Sequence, residues 1–283
     1  MSLRRKCLHI YIQICLNDDR FALKVLHDCQ VNNEKQYRNE VDQLKRFSGL
    51  IHDHLVTVLA TFTLNKRYHF LFPYAECALD QYWEFRVPQP TLDLVMVQWI
   101  SKQCLGLIEA MHTIHEPDHI NLLPGVQRYG RHGDIKPDNI LWFDTTKDPK
   151  GMLVISDMGL SALNSAKSRS NVPGRTLPGA PGYRPPECEV EGGVVSRAFD
   201  VWTMGCLFLE LMTWLLGGQQ MLREFQQTRM SLYINGTKND IFFEIKKYRG
   251  DIPLVAQVKL QVTEVSPEHL HNCVTTWYCC GVN

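Results

Sequence analysis

Apolar and polar residues alternate along residues 8–15, LHIYIQIC, and again along 20–26, RFALKVL, with Asn17, Asp18 and Asp19 between the two runs. A period of two on either side of a turn-forming cluster predicts a β-hairpin. Residues 34–47, EKQYRNEVDQLKRF, change the period: Tyr37, Val41 and Leu44 recur at helical spacing, with charges on the other faces. Strand-like runs follow at 55–63 and 67–72, and PYAECALDQYW then breaks the pattern. Residues 95–115, VMVQWISKQCLGLIEAMHTIH, predict a long, heavily apolar helix. Further on, ILWF (140–143), a turn DTTKDPKG and MLVIS (152–156) predict a second hairpin. The order describes an α+β chain: a small strand-rich part with one helix, a connector, and a larger helical part. No internal repeat or low-complexity linker interrupts it.

Size and charge narrow the picture. A chain of 283 residues can bury a full core, as one large domain or as two lobes. Thirty basic and thirty acidic residues cancel, so nothing in the overall charge points to nucleic acid or an anionic membrane. The opening MSLRRKCLHIYIQICL starts basic and turns apolar like a signal peptide, but Asn17, Asp18 and Asp19 stand where a small-residue cleavage site belongs. It reads as a strand. No apolar run approaches the roughly 20 residues of a membrane span; the nearest, 204–218, carries Glu210. Ten cysteines without framework spacing point to reduced thiols and a cytoplasmic or nuclear protein, in which the sequon at Asn235 has no consequence. The tail places His269, His271, Cys273, Cys279 and Cys280 close together, but their spacing fits no common zinc pattern.

The candidate chemistry lies in RYGRHGDIKPDNILWF, residues 128–143. Asp134 and Asn139 precede the first strand of the second hairpin, and Asp157 follows its second strand at once, in Asp157-Met158-Gly159. The hairpin therefore brings Asp134, Asn139 and Asp157 to one end. Converging oxygen donors are what a Mg²⁺-nucleotide site needs.

With these residues in place the chain resembles a eukaryotic protein kinase. HGDIKPDN resembles the catalytic-loop motif H-R-D-x-K-x-x-N, DMG resembles D-F-G, and RPPE resembles A-P-E. FALK (21–24) is similar to the V-A-I-K strand, NEVDQL to the helix that carries its Glu partner, and DVWTMGCLFLE (200–210) to the helix behind the catalytic loop. The tract YGRHGDIKP with TWLLGG is most similar to a fungal kinase-like group. The resemblance implies one kinase domain over 1–283, bilobal and α+β. Residues 1–72 form a partial N-lobe, 73–79 the hinge, and 80–283 a mainly helical, partial C-lobe without its last helices. It implies ATP and Mg²⁺ as cofactors, Ser/Thr hydroxyls of protein substrates as acceptors, and a monomer. Asp134 is then the base that accepts the substrate proton, and Lys136 neutralises the transferring phosphoryl. Asn139 and Asp157 hold the metal. Lys24, paired with Glu40, grips the α- and β-phosphates, and the adenine edge meets the Pro73 carbonyl and the Ala75 amide behind Phe72. Asp200 is expected on the catalytic-loop backbone, and Leu44, His132 and Met158 in a buried stack.

Four departures bear on activity. No glycine precedes Gly49, so the G-x-G-x-x-G over the phosphates and the first strand are missing from this sequence, which reads as truncated at both ends. The motif Arg is Gly133, which removes one route for ordering by phosphorylation at Ser165, Ser168, Ser170 or Thr176. Ala180 stands where Ser/Thr kinases place a Thr on the catalytic Asp. Glu187 of the RPPE segment lacks the late Arg that ordinarily pairs with it, because no Arg follows Arg249. A catalytically impaired pseudokinase acting as a binding module therefore stands beside the enzyme. A small-molecule phosphotransferase, whose loop also reads H-G-D, stands behind both, with Lys136-Pro137, RPPE and DVWTMG against it.

Overall fold

The computed structural model describes residues 10–16, 19–25, 33–46, 52–65, 67–116, 128–158, 162–165, 181–189, 193–232, 236–246 and 255–263. Gly49, Gly159, Ser168, Ser170, Thr176, Ala180, Asn235, Arg249 and the His/Cys tail lie outside the described residues. The elements are β1 (Ile10–Leu16), β2 (Asp19–Val25), α1 (Asn33–Arg46), β3 (Ala60–Leu64), β4 (Arg67–Pro73), β5 (Cys77–Ala78) and α2 (Leu79–Gln81). A π-helical turn (Tyr82–Arg86) and α3 (Leu94–His115) come next, then β6 (Arg128–Arg131), β7 (Ile140–Thr145), β8 (Asp148–Ile155) and β9 (Ala162–Ser165). Beyond these come α4 (Ala198–Thr228), β10 (Ser231–Leu232), β11 (Lys238–Asn239), β12 (Phe243–Lys246), β13 (Val255–Val258) and α5 (Leu260–Thr263). They form two compact units, residues 1–79 with 101–166, and residues 80–100 with 167–283.

In the first unit a four-stranded antiparallel sheet runs in the order β1-β2-β4-β3. The first predicted hairpin is present, with Ile10 opposite Val25 and Leu16 opposite Asp19. The helix α1 buries one stripe, Glu40, Val41 and Leu44, at helical spacing. Tyr37, one turn earlier, stacks on Tyr68 with ring centroids 4.0 Å apart and tilts against Phe70 at 5.2 Å. Because Phe70 pairs with Lys24 across the sheet, this docking carries Glu40 over Lys24.

The strand expected over 55–63 is corrected: β3 begins only at Ala60. Leu55 and Val56 are buried by a different partner, since Val56 N–H donates to Ile155 O at 2.9 Å and Ile155 N–H to His54 O at 2.8 Å. The second hairpin is longer than its apolar runs. Its ladder extends to Thr145 opposite Asp148, and Pro149 is tolerated because β8 is the edge strand of the sheet β5-β7-β8.

In the second unit α4 is the central element, with Phe199, Met204, Leu207, Leu211 and Trp214 buried. Trp214 packs on Tyr82 and Trp83 and donates its indole N–H to Val87 O at 2.9 Å. The helix breaks at Gly218, whose φ of 70° lets Gln219 N–H reach Pro88 O at 2.7 Å. A Cβ at Gly218 would lie 2.6 Å from Pro88 O, so glycine is required twice there. The expectation that no apolar run reaches spanning length is also corrected. Among the described residues α4 alone is long and apolar enough to cross a membrane, and 56% of its most apolar window is buried inside the fold. The short β10-β11 and β12-β13 pairs add strands to a part expected to be mainly helical.

Candidate functional site

All eight residues singled out by the sequence belong to the first unit. Lys24 lies in β2 between buried Leu23 and Val25, with its ammonium 2.5 Å from Glu40 Oε1 and 3.1 Å from Asp157 Oδ1. The Lys24 and Glu40 side chains are 1% and 3% exposed, whereas Asp157 is 30% exposed. This group is thus sealed on the Lys–Glu side and open on the Asp side. Burial pushes the Glu40 carboxyl above the usual carboxylate range, and the Lys24 charge opposes that push. Glu40 Oε2 is buried without a hydrogen-bond partner among the described residues, which accords with the direction of the shift. Asp157 has φ of 59°, a left-handed backbone that Asp tolerates better than most residues.

The second cluster is Asp134, Lys136 and Asn139. Lys136 Nζ lies 2.7 Å from Asp134 Oδ2, and Asn139 Nδ2 donates to the same oxygen at 2.8 Å and to Asp134 O at 2.7 Å. One turn of 3-10 helix, Pro137–Asn139, closes the loop so that Asn139 can reach back. Ser156 then joins the two clusters. Its N–H and its hydroxyl both donate to Asn139 O at 2.9 Å, and the next residue is Asp157. His132 completes the frame: Nε2 donates to Ser156 O at 2.9 Å, and Nδ1 accepts from Asp134 N–H at 3.3 Å. One ring tautomer satisfies both bonds.

Sequence reasoning missed Ser156 and His54. His54 Nδ1 donates to Leu153 O at 2.6 Å, with its ring against Gly106, where a Cβ would lie 2.1 Å from Nε2. Gln103 Oε1 accepts from Leu153 N–H at 2.8 Å, so β8, which delivers Asp157, is held from two sides. The only signal for Ser156 was its place at the end of a strand beside Asp157. Nothing in the pattern marked His54.

Phe72 and Pro73 end β4, and Tyr74–Glu76 connect it to β5. Among the described residues the Ala75 amide makes no hydrogen bond, which leaves it available to a ligand acceptor. Leu44, His132 and Met158 are buried in the same unit, and Asp200 is wholly buried in the other. Glu187 is only partly buried and so escapes the cost of an unpaired carboxylate in the interior. The second unit instead buries Glu210 with Arg229, at 2.8 Å.

No cluster of three or more His, Cys, Asp and Glu among the described residues is placed to hold a metal by side chains alone. Mg²⁺ takes one or two protein oxygens and completes its shell with phosphate and water. The donor set Asn139 and Asp157, beside a lysine, fits a metal-phosphate group and fits no soft-metal site.

The protein kinase domain family model matches residues 11–246. Among curated proteins the chain is 27% identical over 175 residues to cyclin-dependent kinase F-4 of Oryza sativa subsp. japonica, covering 62% of this chain and 32% of that protein. It is 27% identical over 170 residues to cyclin-dependent kinase 2 of Caenorhabditis elegans, covering 60% and 40%. It is 25% identical over 229 residues to human mitogen-activated protein kinase kinase kinase 4, covering 78% and 12%. The alignments to the two cyclin-dependent kinases thus span well under half of those relatives. These relatives come from a plant and from animals and lend no support to the fungal grouping. The chain belongs to the protein kinase domain family, and its resemblance within that family is to the serine/threonine kinases.

Proposed function

We propose that this chain transfers the γ-phosphate of ATP, with Mg²⁺, to Ser or Thr hydroxyls of protein substrates. The observation that carries the reading is the linked set Glu40–Lys24–Asp157 and Asp134–Lys136–Asn139, joined through Ser156 in one unit.

The roles follow from the bonds. Asn139 and Lys136 fix the plane of the Asp134 carboxylate, which takes the proton of the incoming hydroxyl; a positioned base contributes about 10²–10⁴ in rate. Lys136, already beside Asp134, turns its charge to the phosphoryl group in transfer. Lys24 is steadied by Glu40 and exchanges its contact with Asp157 for the α- and β-phosphate oxygens. Asp157 and Asn139 would be the oxygen donors that hold the cation, which when bound would offset the charge of the phosphates. Pro73 supplies a carbonyl acceptor and Ala75 an amide donor to the adenine edge.

The test is phosphate incorporation from γ-labelled ATP into generic protein substrates with Mg²⁺, with a parallel nucleotide thermal shift. Incorporation by the wild type that disappears in Asp134→Asn, with the thermal shift retained, supports the reading. A folded protein with neither incorporation nor shift overturns it and leaves a binding role. Transfer to an amino sugar or choline in preference to protein overturns the substrate class.

A further inference from the structure

We propose that Arg20 is a positioning residue for the nucleotide: its guanidinium is a latch that orders the connector Tyr74–Glu76 before ATP arrives. This rests on the kinase reading above and extends it to a residue outside every motif that reading uses.

The connector has little backbone support of its own. The last rung of the β2-β4 ladder is Phe21 opposite Pro73, and proline brings no N–H to it. Downstream, Glu76 N–H donates to Trp142 O at 3.1 Å, and Cys77 pairs with Trp142. Between these points lies Ala75, whose amide is unbonded among the described residues.

Arg20, next to Phe21, spans this gap. Its Nη1 donates to Glu76 Oε2 at 3.2 Å and its Nη2 donates to Glu76 Oε1, a two-pronged pairing. The same guanidinium lies 4.5 Å from the centroid of the Tyr74 ring. One side chain thus grips both neighbours of Ala75. The chemistry is specific to arginine, because only a planar fork can pair both carboxylate oxygens while stacking on a ring.

Arg20 is 45% exposed, and an ion pair so exposed adds little to global stability. Its effect is local. Without it, the connector's ordering cost falls on nucleotide binding, which lowers affinity while leaving the chemical step intact.

The experiment compares wild type, Arg20→Ala, Arg20→Lys, Glu76→Gln and the exchanged pair Arg20→Glu/Glu76→Arg. Amide hydrogen exchange over residues 73–77 is measured without nucleotide. The Kd of a fluorescent ATP analogue, and KM and kcat for ATP, are then measured. Arg20→Ala is expected to speed exchange in that segment alone and to raise Kd and KM about 3–10-fold, with kcat changed less than KM. Glu76→Gln, which keeps the side-chain shape, is expected to follow it. Arg20→Lys should fall between, and the exchanged pair should recover part of the loss. Unchanged exchange at 73–77 in both Arg20→Ala and Glu76→Gln overturns the latch, as does faster exchange with unchanged Kd. A wild type that binds no nucleotide overturns the kinase reading and this proposal with it, and that result shows in the wild type alone.

Discussion

Two buried ion pairs, one in each unit, share a chemistry and differ in what closes them. Lys24–Glu40 and Arg229–Glu210 are almost completely removed from solvent. Around Arg229 the contacts are mostly rings and carbonyls, and the further carboxylate, Asp240, stands 3.9 Å away, beyond hydrogen-bond reach. Phe225 and Phe242 lie 4.1 and 4.0 Å from the guanidinium, Nε donates to Asp240 O at 3.1 Å, and Tyr183 donates its hydroxyl to Glu210. Lys259 donates to the backbone carbonyl of Arg229 at 2.5 Å. Around Lys24 one side is left to Asp157, partly exposed and on a left-handed backbone. A pair capped by rings and carbonyls can only hold the fold together. A pair whose third member faces solvent can change partners, as phosphate binding requires.

The largest effect that sharpens this contrast is catalytic. Asp134→Asn should lower phosphoryl transfer by about 10²–10⁴ and leave the unfolding midpoint nearly unchanged, read by initial rates and a thermal melt. A comparable loss of rate with a large loss of stability would mean the cluster is structural. Arg229→Met should do the reverse. Breaking a closed buried pair costs about 3–5 kcal/mol, seen as a lower denaturant midpoint. Lys24→Met sits between, at roughly 1–3 kcal/mol, because the raised pKa of Glu40 lets that carboxyl take a proton when its cation is gone. Equal costs for Lys24→Met and Arg229→Met would erase the distinction.

Tyr183→Phe removes one bond to a buried carboxylate, worth about 1.5–3 kcal/mol. Burial, and then the Glu210 charge, already hold the Tyr183 phenol far above its usual pKa, so no pH dependence from it is expected in the neutral range.

The smallest effect concerns His54. Burial holds its pKa below 6.5, only partly offset by the bond to Leu153 O, so the unfolded chain binds the proton first. Its contribution to stability is full above pH 6.5 and declines as the pH falls below that value. Thermal melts from pH 7.5 to 5.5 should show the decline, and His54→Gln should flatten that part of the curve. His52, Asp53 and Glu109 also act on His54, so Glu109→Gln serves as the control.

Local periodicity made much of this legible. The stripe of Tyr37, Val41 and Leu44 predicted α1, and two alternating runs predicted the β1-β2 hairpin, because each pattern is written within one element. Motif spacing likewise drew Asp134, Asn139 and Asp157 toward one hairpin end. What stayed hidden depends on contacts between distant segments. Leu55 reads as strand by its neighbours but is buried against β8, about a hundred residues on. Ser156 acquires its role only after β7 and β8 have paired. Arg229 reads as an ordinary end-of-helix charge until Glu210 and two phenylalanines surround it. The break at Gly218 was equally silent, because its cause is the carbonyl of Pro88, far back in the chain.

Gly133 has φ of 85° within the loop that carries Asp134. Any residue with a side chain at that point would have to accept a left-handed backbone, at roughly 1–2 kcal/mol. An arginine introduced at this point therefore carries a conformational cost that the glycine avoids, in the very residue that leads into the Asp134 carboxylate.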